Sequence, residues 1–534
     1  MQSSARWLKL IGKKIKLSEA LTDEDDVLQM LRYPKRRIEL IVLLLENENE
    51  ILHIAAQHLN VKANACELSQ VSDWIHGSFN LCIPIHVNWN GHKRVLFRVP
   101  LPYKIGEEFF PGNVDEKIRC EAATYIYIRQ CCPEVPIPML LGFGLSTGIS
   151  VSLVSLNNPS QIKSKTKQFT SLENTSFLCR LRRWLSNRLR TFARYPLPSP
   201  FVPDNRMSAL RTGYLLLQYI EDGQMLSETF DSQIRDPTRQ HNLFRDLSRI
   251  MVSLAKIPQP RIGSFTIDNT GFISLSNRPL TLRLQALENE GISTNIHRLR
   301  TYECTDSYAL DLLAYHDSRL LCQPNSMNDE MDGRRQMSAI GLMRSVMPQF
   351  INSKTKCGPF FVGLTDLHPS NIFVNEHWQV TSLIDLEWAC SHPVEMLRPP
   401  YWLTGQNLDR LDGANFEKFS SIREEFMAEF QQQERLITSE VGRSAIMEEN
   451  WKVGSFWFFH ALESTKGLYN IFKQHIMPRF SRDADFPDIS QYWGNDTSKI
   501  ICSKLQERRG YLQQLTLAAL TTDSDSDSDT CNSS

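Results

Sequence analysis

The 534 residues contain no Cys-x-x-Cys pair and no framework spacing among 12 cysteines. Adjacent Cys131 and Cys132 suit neither a metal knuckle nor an ordinary disulfide, so zinc is excluded and a reducing compartment is expected. There is almost no net charge: 59 basic residues against 60 acidic leave −1. No bulk field therefore draws the chain to nucleic acid. Long apolar runs are also missing. The longest candidate, Ile38 to Leu45, falls far short of the roughly 20 residues that span a bilayer, so no transmembrane segment is expected. What remains is 41% hydrophobic and 10% aromatic, enough for a sizeable buried core.

The informative stretch is Gly363 to Cys390, GLTDLHPSNIFVNEHWQVTSLIDLEWAC. Phe360-Phe361-Val362 suits a buried strand, and Pro369 breaks regular structure after Asp366. Asn371 to Val374 and Val380 to Ile384 read as the strands of a hairpin that ends at Asp385. Asp366, Asn371 and Asp385 can thus point at one place. Phosphoryl transfer wants this set: one Asp takes the hydroxyl proton, while an Asn and a second Asp hold Mg²⁺ against phosphates. The Asp-x-x-x-x-Asn spacing is that of a kinase catalytic loop. The competing reading makes all three turn formers, a common use of Asp and Asn.

Thr365-Asp366-Leu367-His368-Pro369-Ser370-Asn371-Ile372 and Ile384-Asp385-Leu386-Glu387-Trp388-Ala389 resemble the catalytic segment of the aminoglycoside phosphotransferase family, in particular its large fungal branch of uncharacterised members. The resemblance covers roughly residues 70 to 480. One departure is Leu364, where many relatives carry a supporting His; Thr365 follows it. The resemblance implies a two-lobed, protein-kinase-like α+β fold with a small antiparallel β-sheet N-lobe and a mainly helical C-lobe. It implies ATP and Mg²⁺ as cofactors and a small-molecule hydroxyl as acceptor. The alternative is a pseudokinase-type scaffold that binds nucleotide or nothing. A protein kinase is disfavoured, because Leu386-Glu387 follows Asp385 in place of Phe-Gly.

In the order of the chain, residues 1–70 read as a helical extension, with one long helix over 34–60. The first 17 residues are basic and free of acids. They read as a basic helix, or alternatively as a mitochondrial presequence in an otherwise cytoplasmic chain. Residues 71–220 form the expected N-lobe. Gly77, Ser78 and Asn80 lie in a small-residue turn whose backbone can approach phosphates, and this turn matches the fungal branch. Asn90-Gly91 marks a hairpin. The resemblance makes Arg98 the basic strand residue that touches nucleotide phosphates and Glu121 its helix partner; Glu116 reads as a surface charge on an amphipathic helix. Pro136 to Gly144 reads as an edge strand beside Gly213 to Ile220. Gln218 and Ile220 would then belong to the adenine-facing linker. An insertion at about 146–210 holds a basic amphipathic helix, 177–194. Phe177, Leu181, Trp184, Leu185, Leu189 and Phe192 form one face, and Arg180, Arg183, Arg188, Arg190 and Arg194 the other. Such a helix packs on its own protein with solvated arginines, or meets a membrane surface or acidic partner. Residues 221–515 make the helical C-lobe around hairpin 360–390, and 516–534 a disordered acidic Ser/Asp tail. Arg278 has no evident role in the sequence.

Overall fold

The computed structural model describes residues 6–146, 164–165, 167–192, 197–204, 207–208, 210, 212–438, 442–481 and 486–528. Side chains at 186–192, which include Arg188, Leu189, Arg190 and Phe192, lie outside the described residues, as does Arg194. The chain is a mixed α/β protein with several small antiparallel sheets and one larger one.

It opens not with a helix but with a hairpin, β1 (Trp7–Leu10) and β2 (Lys13–Lys16). The reason is alternation: Leu8, Leu10 and Ile15 point inward while the intervening lysines point out. The expected long helix is two, α1 (Tyr33–Glu46) and α2 (Glu48–Leu59). Asn47 breaks it by bonding its own side chain back to the Leu43 carbonyl at 2.7 Å, as this residue type does at helix ends.

β3 (Cys66–Leu68), β4 (Ile75–His76), β5 (Asn80–Trp89) and β6 (His92–Pro100) follow. Asn90 and Gly91, with φ 47° and 82°, make the two-residue turn that joins β5 to β6. Helix α3 (Asn113–Cys131) is buried along nearly its whole length. Next come β7 (Leu140–Gly144), β8 (Gln168–Ser171), α4 (Phe177–Phe192), β9 (Phe201–Asp204) and β10 (Tyr214–Gln218). The main sheet runs β9-β8-β7-β10-β6-β5-β3, with β4 beside β5. β7 is therefore interior, not an edge. Its prolines, Pro136 and Pro138, precede the strand, so Gly142 to Gly144 remain able to pair with β8. The insertion enlarges the sheet rather than interrupting it.

Helices α1 and α2 cover one sheet face through Leu44, Ile51 and Ile54 against Ile83, Phe97 and Leu216. His58 of α2 closes this contact, its Nε2 bonded to the Tyr214 hydroxyl at 2.9 Å. A Cβ at Gly142 would fall 2.2 Å from His58 Nδ1. Gly142→Ala is expected to cost about 1–3 kcal/mol by overpacking, read as a lowered denaturation midpoint; an unchanged midpoint would show that α2 is free to shift.

The other sheet face packs on α3, which is continued by α5 (Pro237–Ala255), β11 (Ser264–Ile267), β12 (Phe272–Asn277) and α6 (Leu282–Asn289). Here Arg278 acquires its role. It forks onto Glu116 at 2.8 Å and Glu288 at 2.5 Å, and Arg298 adds a bond to Glu116 at 3.1 Å. Glu116 is thus a buried pairing residue, 5% exposed, and not a surface charge. The network pins the first turn of α3. Arg278→Ala would leave Glu288 buried without its cation and Glu116 with only Arg298, with an expected loss of about 3–5 kcal/mol in a denaturant titration.

Helix α7 (Thr305–Cys322) leads to β13 (Phe361–Leu364), β14 (Ile372–Val374), β15 (Val380–Leu383) and β16 (Ala389–His392), then α8 (Gly413–Ile437), α9 (Arg443–Val453) and α10 (Ser455–Glu463). Gly454, whose φ is 96°, separates α9 from α10. The last element, α11 (Thr497–Ser528), reaches well into the expected disordered tail. Tyr511, Leu515 and Ala519, one turn apart, are buried against Leu8, Ile15 and Val27 of the N-terminal segment. That stripe outweighs the acidic composition beyond it; residues 529–534 lie outside the described residues. Among the described residues, no helix is long and apolar enough to cross a membrane.

Candidate active site

β14 and β15 form the expected hairpin, Ile372 opposite Leu383. The Ile384 amide donates to the Asn371 carbonyl at 3.0 Å and so ties the hairpin's open end. Asp385 follows in the left-handed region, φ 58° and ψ 55°, which costs a non-glycine residue on the order of 1 kcal/mol. Asp366 sits on the turn after β13. The Asn371 amide nitrogen donates to the Asp366 carbonyl at 2.9 Å and carboxylate at 3.3 Å. The Thr365 hydroxyl donates to the Trp388 carbonyl at 2.6 Å and clamps this turn to the segment after Asp385, so Leu364 is not the turn's only support.

The structure brings Arg98 and Glu121 together at 3.2 Å. It adds more than that pair. The same guanidinium reaches Asp385 at 2.7 Å and also grips Glu387. Lys117, one turn before Glu121 on α3, bonds Glu387 at 2.9 Å and lies 3.5 Å from Glu121. Asn80 completes the cluster. Its nitrogen donates to Glu387 at 3.0 and 3.2 Å, and its oxygen accepts from Lys117 at 2.7 Å. Arg98, Lys117, Glu121 and Glu387 are all almost fully buried, and Asp385 alone keeps an open side, with 35% of its side chain exposed.

Lys117 and Glu387 were not among the expected site residues. Two signals existed: Lys117 and Glu121 stand at helical i,i+4 spacing, and Glu387 lies two residues beyond Asp385.

Gly77 and Ser78 are exposed at the β4–β5 turn, where the Gly77 amide donates to the Asn80 carbonyl at 2.9 Å. Phe79 meets Trp388 edge-on, with ring centres 5.3 Å apart. This turn is therefore fixed over the segment that follows the β14–β15 hairpin, with the Asn80 side chain directed into the buried network. Gln218 lies at the end of β10, where its amide and side chain bond Met139 at 2.9 and 3.2 Å. Ile220 follows the strand, half-buried. Neither is drawn into the carboxylate cluster.

The charges explain the titration behaviour. Burial, then repulsion from Glu387 and Asp385, pushes the Asp366 carboxyl up to about 7, against the hydrogen bond from Asn371. Burial also raises Asp385, with the Arg98 charge opposing it. Burial would raise Glu387 too, but Lys117 and Arg98 more than offset it and hold this group below its usual range. Glu121 is pushed up to about 7 by burial despite Arg98 and Lys117. Ionised Glu387 is thus the anchor of both cations. Arg283, exposed on α6, counters part of the rise at Asp366 and acts on Tyr401 as well.

No family model matches the sequence, and no curated protein matches it. Solved structures do match. One is a macrolide 2'-phosphotransferase type I, at 10% sequence identity and a TM-score of 0.29, covering 76% of this chain and 88% of that chain. So loose a superposition defines neither the architecture nor the activity of this chain.

Proposed function

We propose that this chain is a phosphotransferase that moves the γ-phosphate of ATP, with Mg²⁺, to a hydroxyl of a small molecule. The observation that carries the reading is the meeting of Asp366, on the turn after β13, with Asn371 and Asp385 at the open end of the β14–β15 hairpin, against a strand arginine paired to a helix glutamate. Asp366 is the base that takes the acceptor proton, and Arg98 neutralises phosphate charge. Gly77 and Ser78 give backbone approach, while Gln218 and Ile220 line the adenine end. In this reading the protein is a two-lobed, protein-kinase-like enzyme.

Among the described residues no group of three or more His, Cys, Asp or Glu is arranged to hold a metal. Mg²⁺ asks for less, since it keeps several waters and binds through one or two protein oxygens plus phosphates. The donors fit: Asp385 has an open side, and Asn371 directs its nitrogen to Asp366, which leaves the amide oxygen to coordinate. When bound, the ion would neutralise phosphate charge. Asp385→Asn should fold normally, because Asn tolerates the left-handed conformation. It should lose the Mg²⁺-dependent part of thermal stabilisation by ATP; an unchanged shift would remove Asp385 from the metal site.

The elevated Asp366 sets a pH signature. The ionised form is the competent base, so the transfer rate should rise with pH and level off above about 7. An unperturbed Asp would level off below about pH 5. Stability runs the other way. Folding raises this carboxyl, so its stabilising contribution is complete below about pH 4 and lost as pH rises through about 7. Comparing melting temperatures of wild type and Asp366→Asn across this window checks the sign.

A second reading, a nucleotide-responsive scaffold without transfer, is favoured by one observation: Asp385 is bonded to Arg98 at 2.7 Å, so the carboxylate assigned to Mg²⁺ already has a cation. Thermal stabilisation by ATP and Mg²⁺ with no phosphate transferred to any member of a metabolite pool would select it.

A further inference from the structure

The sequence pattern of α4 leaves open whether its apolar face packs on the protein with the arginines in solvent or meets a membrane surface or partner. The structure turns the apolar face outward and buries one arginine. Phe177 and Leu178 are each 70% exposed, Leu181 42%, Trp184 54% and Leu185 49%. The buried member is Arg183, 8% exposed. It donates to the carbonyls of Thr270, Ser199 and Gly271 and lies 3.9 Å over the Phe272 ring. At about 100° per residue, the five apolar side chains fill one arc about 120° wide. Arg183 lies about 160° from the centre of that arc, which is why it faces the protein. Arg180 and Arg182, both exposed, lie about 100° to either side of the centre. No acidic residue occurs between Phe177 and Phe192.

We propose that α4 is a membrane-surface helix that lays this face onto an anionic phospholipid bilayer. An outward apolar band with a cation along each border is the arrangement that enters the headgroup–acyl boundary while guanidinium groups stay at phosphate level. A second copy of the chain is a poorer occupant, because face-to-face pairing would bring the border arginines Arg180 and Arg182 of two helices together with no acidic residue on either helix to offset them. An acidic protein surface would meet apolar side chains at the centre and cations only at the rim. Arg183 and β12 supply the stiff attachment that holds the helix flat against the body with its apolar side outward.

The test is flotation of the full chain with phosphatidylcholine vesicles, with and without about 30% phosphatidylserine, in 0.1 M salt. Wild type should float with the anionic vesicles and bind neutral ones at least 10-fold less. Arg180→Gln with Arg182→Gln should weaken anionic binding about 30-fold, at the usual contribution per basic residue near a charged surface. Leu181→Asp with Leu185→Asp should abolish binding and leave the melting temperature unchanged, since both positions are solvent-facing. The proposal is overturned by a wild type that stays with the soluble fraction, or by a Leu181→Asp, Leu185→Asp variant that still floats. A wild-type dimer that this variant dissociates would overturn it in favour of self-association.

Discussion

Asp366→Asn should bind ATP and Mg²⁺ as wild type does and transfer phosphate at least about 10²-fold more slowly. The amide keeps the shape of the turn, and Asn is nearly as good a turn former, so a purely architectural Asp366 would tolerate the change. Its bond from Asn371 at 3.3 Å ends on a carboxylate oxygen that the amide can replace with its own oxygen. What the variant lacks is a group able to accept a proton near neutral pH. Transfer is measured with a candidate acceptor, or as slow ATP hydrolysis against a no-protein control. Equal rates in the two proteins would remove Asp366 from the chemistry. Loss of nucleotide binding in the variant would place the residue in binding.

Arg98→Ala is expected to be the most damaging single substitution to stability among the site residues, about 3–5 kcal/mol. The guanidinium is 2% exposed and faces Glu121, Asp385 and Glu387. Removing it leaves Lys117 as the nearest cation for the carboxylates that remain. From its place on a strand, Arg98 would read as a nucleotide contact whose loss spares the fold; its three buried partners make it a structural residue too. Arg98→Lys should fall between, because an ammonium is a point charge and cannot fork across three carboxylates. Denaturant titrations of the three proteins decide it. A loss under about 1 kcal/mol for Arg98→Ala would mean that the carboxylates protonate or separate freely, and that the network does not hold α3 to the β14–β15 hairpin.

The parts of this site that the sequence disclosed are the local ones. Pro369, the Asn375-Glu376-His377 turn and two short β-rich runs specify the hairpin within some twenty residues; the hairpin sets Asn371 and Asp385, and the turn that leads into it sets Asp366. Arg98 and Glu121 come from the resemblance, whose layout pairs a basic strand residue with a carboxylate on the packed helix, and the two do meet at 3.2 Å. Glu387 and Lys117 escaped because their bond joins positions 270 residues apart, and neither has a local pattern that demands burial. The same holds for α4. Periodicity located the helix, but its inward face is chosen by the carbonyls of Ser199, Thr270 and Gly271, which no helical window contains. At the N-terminal end composition misled, since lysines hid a hairpin.

The contact between the N-terminal segment and α11 has a consequence for the order of events in making the protein. The Val27 amide bonds the Tyr511 hydroxyl at 2.9 Å across 484 residues. At about 5–20 residues per second, the N-terminal hairpin leaves the ribosome about 25 to 100 s before the helix that covers it. Through that interval Leu8, Ile15 and Val27 lack the α11 stripe that covers them, so a segment made early is locked late. Nascent chains stalled before α11 should therefore be cut by protease ahead of β3, while chains released complete should resist there.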